Sequence, residues 1–239
     1  IVLLASLVPH PIALTVLRMG APAALVAAVA AGASGASAGA AAVGAGAGAL
    51  AVALAFLPET AMPFVNGPAY ANERRYPLRP PGPLLVGPLP LAWAAAVVLP
   101  ASGALLLAAR QWVLGGVATA IGVGAAVVAG RSMYALARRW LVFVPAGVVL
   151  HDPVTLADPM LFRRRDIRSL SLAPADTDGV DLTAGAFGMA LELVASEPVT
   201  LAVIEGRSRS ASTVKASKLL FTPTRPGAVL TEARERRID

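Results

Sequence analysis

From Met19 to Leu57 the chain carries no charged side chain. At about 1.5 Å of helical rise per residue, those thirty-nine residues make roughly two crossings of a bilayer core. The middle of the run, GASGASAG (Gly32–Gly39), is small and polar enough to turn, so the run is expected to be a helical hairpin in lipid. Two more apolar blocks follow, Leu84–Ala109 and Trp112–Gly130. An earlier block, Ile1–Leu17, is interrupted by Pro9-His10-Pro11 and reads as a further span or a partial one. The expectation is four or five transmembrane helices. Ile1–Val8 reads either as the tail of a longer span or as a signal-like apolar segment.

Composition agrees and shows where the membrane part stops. The chain is 56% hydrophobic and 14% charged, with a mean hydropathy of +0.70, whereas soluble domains carry about 25% charged residues. Seven charges fall in residues 1–130 and twenty-seven in residues 131–239. The chain has no cysteine, which excludes disulfides, thiolate metal sites and a cysteine nucleophile. Arginine supplies eighteen of the twenty basic residues, and the Ala, Gly, Val and Pro excess beside it suggests a GC-rich bacterial genome. The net charge of +6 sits beside apolar spans, so topology explains it more simply than a nucleic-acid partner does.

Arg74, Arg75 and Arg79 lie in one interspan segment, and Arg131, Arg138 and Arg139 follow the last apolar block, while only Arg110 lies in the turn between the last two blocks. Positive residues favour the cytoplasmic side. The pattern predicts a multi-pass plasma-membrane protein with its C-terminal domain in the cytoplasm. The loop at 58–83 is rich in proline (Pro77, Pro80, Pro81, Pro83) and predicts an extended connector. Its arginines read as headgroup anchors or as a strap for a partner subunit. The boundary falls at a transmembrane part, 1–139, followed by a β-rich domain, 140–239.

WLVFVPAGVVLHD (Trp140–Asp152) is too short for a span and has Pro145-Ala146-Gly147 at its centre, so it predicts a β-hairpin. Period-two alternation at Ile167–Leu172, Met189–Leu193 and Val199–Val203 predicts further antiparallel strands, with a turn at Ser196-Glu197-Pro198 and a last short strand at Leu219–Phe221. Thr224 as N-cap, Pro226 in the first turn and a stripe of Val229, Leu230 and Ala233 predict a C-terminal amphipathic helix. In their layout, RRWLVFVPAGVVLHD and RRRDIRSLSL resemble the pleckstrin-homology-like domains that bacteria attach to membrane helices. That resemblance implies a small α+β domain in which an antiparallel sheet is closed by the C-terminal helix. Phosphoinositide-binding members carry basic residues at the first hairpin; Pro145-Ala146-Gly147 stands there instead, so inositol-lipid binding is not implied.

Tests for chemistry are mostly negative. Gly32–Gly35 resembles the serine motif of rhomboid proteases, and Gly35-Ala36-Ser37-Ala38-Gly39 fits a hydrolase elbow. Neither Ser34 nor Ser37 has a histidine on a later membrane block to act as base. Asp176, Asp178 and Asp181 fall in one loop but lack a calcium-loop register. His10 reads as interfacial, and Arg18 as a charge that must snorkel or pair. No catalytic residue, metal ligand or cofactor is assigned. Candidate contacts to a partner or to lipid headgroups are Arg74, Arg75, Arg79, Arg163, Arg164, Arg165 and Arg168, each near-surface basic residue being worth about 1 kcal/mol. Gly35/Gly39 and Gly44/Gly48 have small-xxx-small spacing and form a candidate helix-docking face.

The segments RRYPLRPPGPLLVGPLPLAWAA, ARRWLVFVPAGVVLHDPVTLADPMLFRR and LLFTPTRPGAVLTEARERR resemble a family of small actinobacterial integral membrane proteins, and one such protein is associated with Mce lipid-import machinery as an accessory subunit. The resemblance implies a non-enzymatic subunit whose partners are other integral membrane subunits of a lipid transporter and phospholipid. The alternatives are an intramembrane or envelope-lipid enzyme and a stand-alone membrane-surface sensor.

Overall fold

The structure is a computed structural model and describes residues 2–205 and 210–238. In chain order its elements are α1 (Val2–Leu7), α2 (Pro11–Gly20), α3 (Pro22–Ala33), α4 (Ala38–Phe56), α5 (Pro58–Asn66), β1 (Arg74–Pro77), α6 (Gly82–Val86), α7 (Pro88–Ala108), α8 (Trp112–Ala137), β2 (Trp140–Val144), β3 (Gly147–His151), β4 (Met160–Arg163), β5 (Ile167–Leu172), β6 (Val180–Asp181), β7 (Leu191–Glu205), β8 (Ser210–Phe221) and α9 (Pro226–Glu235). A 3-10 turn, Arg164–Asp166, joins β4 to β5. The chain divides into a helical unit, Ile1–Phe64 with Val86–Tyr134, and a second unit, Val65–Leu85 with Ala135–Asp239.

In the helical unit, four helices are long and apolar enough to cross a membrane: Pro11–Ala33, Ala38–Phe56, Pro88–Ala108 and Trp112–Ala137. Among the described residues, the N-terminal block is split at its prolines. α1 ends at Leu7, and the first crossing starts where the prolines stand, because Pro11 fits the first turn and the His10 Nδ1 accepts the Ile12 N–H at 3.2 Å. α2 then runs into α3 through Ala21, which keeps helical φ and ψ. The predicted turn at GASGASAG forms between α3 and α4. There Gly35 sits at φ +94°, and Ser37 caps α4 by accepting the Ala40 N–H.

Arg18 lies inside the first crossing and is paired there. Its Nε donates to the Ala55 carbonyl at 3.0 Å, one residue before the end of α4, and its guanidinium lies 5.3 Å from the centre of the Phe56 ring. A cation suits a helix C-terminus, where the unpaired carbonyls concentrate negative charge. Phe56 meets Trp93 edge-on at 5.9 Å, and the Trp93 indole N–H donates to the Arg18 carbonyl at 3.1 Å. Three crossings are thus tied at one level by one half-buried arginine. A smaller cluster of Ala13, Leu14, Ala61 and Phe64 packs α2 on α5.

The second unit contains two four-stranded sheets, β1-β2-β3-β4 and β5-β7-β8-β6. This overturns the expected closed PH-like sheet. β1 and β4 remain the edges of the first sheet, and β5 and β6 those of the second. Closure requires edge strands to bond one another. Here the 3-10 turn separates β4 from β5, and the two-residue β6 runs parallel to β8 rather than antiparallel. Among the described residues, an isolated bridge, Leu156 to Val203, joins the β3–β4 connection to the second sheet.

The PAG hairpin forms as predicted, pairing Trp140 with His151 and Val144 with Gly147. Alternation places Leu141, Phe143, Val148 and Leu150 in the core. The turn expected at Ser196–Pro198 is instead an irregularity within a single strand, with register shifting between Val194 and Val199. β8 begins at Ser210, well before the expected Leu219. α9 buries Val229 and Ala233, but Arg225 occupies its N-cap position. Thr224 is used elsewhere: its N–H and its hydroxyl both donate to the Pro77 carbonyl, at 2.9 and 3.1 Å.

The proline-rich loop is the largest departure from the sequence reading. Residues 74–77 are extended as expected, but they form strand β1 and pair with β2, Arg74 opposite Phe143 and Pro77 opposite Trp140. Proline lacks the N–H that a central strand needs, so an edge strand is where it fits. β1 precedes the third and fourth crossings and β2 follows them. Their pairing requires both on one side of the membrane, which two intervening crossings satisfy.

Candidate functional site

Residues 66–82 are fastened into the second unit by a chain of polar contacts. The Asn66 side chain both donates to and accepts from the Arg75 backbone, at 2.9 and 2.8 Å. The Tyr76 hydroxyl donates to Glu232 on α9 at 3.1 Å, and its ring meets Phe143 edge-on at 5.7 Å. Burial, with the Glu232 carboxylate beside it, pushes the Tyr76 hydroxyl up to about 12. Arg236 donates to Glu232 at 2.6 Å and to the Asn72 carbonyl at 3.1 Å. Leu78 N–H donates to the Arg139 carbonyl, and Arg79 N–H to that of Thr222.

At the centre is a buried ion pair. Arg139 Nε donates to Asp152 Oδ1 at 2.7 Å and Nη2 to Oδ2 at 2.6 Å, and both side chains are 1% exposed. The third guanidinium nitrogen donates to the Arg79 carbonyl at 2.7 Å. Every edge of the fork has a partner, which is the condition for burying such a pair. Arg139 is therefore an internal clamp on residue 79 rather than a membrane-flanking surface charge. Hairpin register made this pair findable: Trp140 opposite His151 puts Arg139 opposite Asp152.

The seven candidate arginines separate into groups. Arg163, Arg164 and Arg165 gather at the tip of the β2–β3 hairpin, where Arg164 N–H donates to the Ala146 carbonyl at 2.9 Å. Arg164 also lines a shallow cavity of about 370 Å³ with Pro145, Glu235, Arg236 and Arg237. Arg236 and Arg237 were absent from the sequence candidates because some seventy residues separate them from Arg164. Guanidinium groups so arranged suit carboxylate or phosphate oxygens. Arg168 is exposed at the irregular start of β5. Arg74 is exposed on β1, while Arg75 is paired with Glu73 at 3.1 Å and lies over the Trp140 ring at 5.3 Å. Arg79 is half-buried, and its Nε has no hydrogen-bond partner among the described residues.

The glycine candidates also divide. A Cβ on Gly48 would lie 2.7 Å from Leu25 N, and one on Gly44 would lie 3.0 Å from Ala28 Cβ, so these two close α4 against α3 of the same chain. Gly35 and Gly39 have open space around them. Of the two serines, Ser34 donates to the Ala30 carbonyl at 2.8 Å and Ser37 caps α4. The three aspartates do not converge: Asp178 pairs with Lys218, and Asp181 accepts the Thr183 N–H at 2.7 Å.

His151 is half-buried and stacks on Trp140 at 5.4 Å, and its buried Nε2 has no partner among the described residues. Burial lowers its pKa first, the Arg138 charge next and the Arg75 charge less, against the Asp152 carboxylate. The folded state thus binds the proton more weakly than the unfolded chain. Stability should be unaffected by this group above pH 6.5, its ordinary value, and should fall as pH drops below it, levelling off once pH passes the lower folded value. Melting scans of wild type and His151→Gln should show the wild type losing more stability as pH falls from above the ordinary histidine range to below it. Parallel curves would mean that His151 does not titrate in this way.

Comparison of the chain with protein-family models, curated proteins and solved structures finds no match.

Proposed function

We propose that this protein is a non-enzymatic accessory subunit of a larger membrane complex, with its β-rich unit in the cytoplasm and lipid transport across the cell envelope as its setting. The observation that carries the reading is the division of glycines in the membrane helices. Gly44 and Gly48 on α4, and Gly115 and Gly122 on α8, are consumed by contacts within the chain. Gly39 and Gly46 on α4, and Gly116 and Gly124 on α8, have nothing within 4 Å of a Cβ. On α4, residues 39 and 46 are seven apart and share a face away from the internal contact. In lipid, small faces allow close helix approach, whereas apolar bulk gains little over lipid tails. Only 11% of the α4 and α7 spans is buried in the chain, which leaves wide surfaces for other subunits. The lipid-transport setting rests on the resemblance of the RRYPLRPPGPLLVGPLPLAWAA segment and its companions to a family of small actinobacterial integral membrane proteins, one of which is associated with Mce lipid import.

Extraction in mild detergent with the tagged full chain, followed by mass spectrometry, tests the reading. Integral membrane subunits should copurify in fixed proportion. A monodisperse protein with no companion in several mild detergents would overturn it in favour of a stand-alone sensor.

A further inference from the structure

The loop between β6 and β7 carries large apolar side chains outward. Phe187 is 57% exposed and Met189 61%, and Leu172, the end of β5 beside them, is 51% exposed. Ala173 N–H donates to the Ala190 carbonyl at 3.0 Å, which holds Leu172 next to this loop. No described residue of the second unit covers these side chains further, and neighbouring exposed apolar side chains of this kind mark an interaction surface.

Two tethers say what does cover them. A Cβ on Gly82 would meet the Gly185 carbonyl oxygen and lie 3.3 Å from the Phe187 ring, so residue 82 touches the loop. Between Gly82 and Pro88, where the third crossing starts, stand only α6 and Gly87. One helical turn and a single extended residue span about 11 Å. α6 itself is the apolar sequence GPLLV. The second tether is Arg79. A Cβ on Gly188 would lie 3.0 Å from Arg79 Nε, so the guanidinium packs on the loop. The Arg79 carbonyl is bound by Arg139, two residues beyond the end of α8 and hence within about 7 Å of it along the chain. The loop is therefore leashed at both points to helices that enter the bilayer. The headgroup layer is about 5–7 Å deep on each side, and aromatic side chains flanked by arginine are the residues that settle in it.

We propose that the segment Thr183–Ala190 is an interfacial anchor, with Phe187 and Met189 seated in the bilayer surface and Arg79 at headgroup level. The proposal rests on the four helices crossing the membrane, and its occupant is lipid rather than a protein partner. The Arg163–Arg165 cluster lies at the opposite end of the β2–β3 hairpin, Gly147 pairing with Arg163 while His151 pairs with Trp140.

The absence of cysteine makes the test direct. Met189→Cys, Arg165→Cys and Ile121→Cys, each the only thiol in the full chain, are labelled with an environment-sensitive fluorophore and reconstituted in phosphatidylcholine–phosphatidylglycerol vesicles. Lipids carrying a spin label near the headgroup serve as quencher. The anchor requires blue-shifted, quenched emission at position 189 and neither effect at 165, and adding Phe187→Ser should reduce the quenching at 189. An unquenched probe at 189 with a probe at 121 that reports hydrocarbon would overturn the anchor alone, and a protein covering would then be indicated. A water-exposed probe at 121 would instead bring down the membrane reading together with the anchor.

Discussion

Replacing Asp152 with alanine should cost the β-rich unit about 3–5 kcal/mol, because it leaves the Arg139 guanidinium charged, buried and without its carboxylate. Domains are stable by only about 5–15 kcal/mol, so the loss should expose this unit to protease at temperatures where the wild type resists. The damage should reach residue 79, since the same guanidinium holds the Arg79 carbonyl. Hydrogen exchange on the full chain in detergent would read it as lost protection in both 74–79 and 140–152. The paired change Arg139→Leu with Asp152→Leu removes the stranded charge and should restore much of the stability, as buried ion pairs replaced by apolar residues often do. A variant Asp152→Ala that melts with the wild type would show that the pair does not hold the loop to the tail.

The second large effect concerns the membrane helices. Leucine at Gly48 must push α4 away from the Leu25 backbone, and overpacking of this kind costs about 1–3 kcal/mol per site. Gly48→Leu should therefore lower expression or detergent stability of the protein alone. Gly39→Leu with Gly46→Leu places the same volume on the open face of α4. It should leave the isolated protein as stable as wild type while reducing the copurified partner at matched expression. Equal behaviour of the two variants in both assays would contradict the assignment of one glycine face to the chain and the other to a partner.

The membrane part was legible because charge depletion is a one-dimensional signal. Thirty-nine uncharged residues with a small polar centre can be read as two crossings without knowing any contact. The N-terminal block was harder, since Pro11 looks like a break until His10 is seen capping the helix that starts there. The hairpin at Pro145 was legible for the same local reason as the GASGASAG turn. The second unit's sheet order was not. Its first strand stands more than sixty residues ahead of its partner, with two crossings between, and prolines in RRYPLRPP disguise an edge strand as a linker. Closure of the sheet was inferred from layout, and layout does not report which edges pair. Among the arginines, sequence clustering found Arg163–Arg165 but not Arg236 and Arg237, which only the fold brings to the same hairpin tip. It also took Arg139 as one of the basic residues that follow the last apolar block, although the hairpin register places Asp152 opposite it.

The most direct test of the whole arrangement is sidedness in native membranes. Single cysteines at Ala71, Arg165, Ala36 and Arg110, each an exposed position, are treated with a membrane-impermeant thiol reagent in intact spheroplasts and in inverted vesicles. Four crossings with a domain shared by the loop and the tail require positions 71 and 165 to label together from one side and positions 36 and 110 from the other. The proposed cytoplasmic placement expects 71 and 165 to label in inverted vesicles and 36 and 110 in spheroplasts. Labelling of 71 and 165 from opposite sides would make the β1–β2 pairing impossible and contradict the account at its centre.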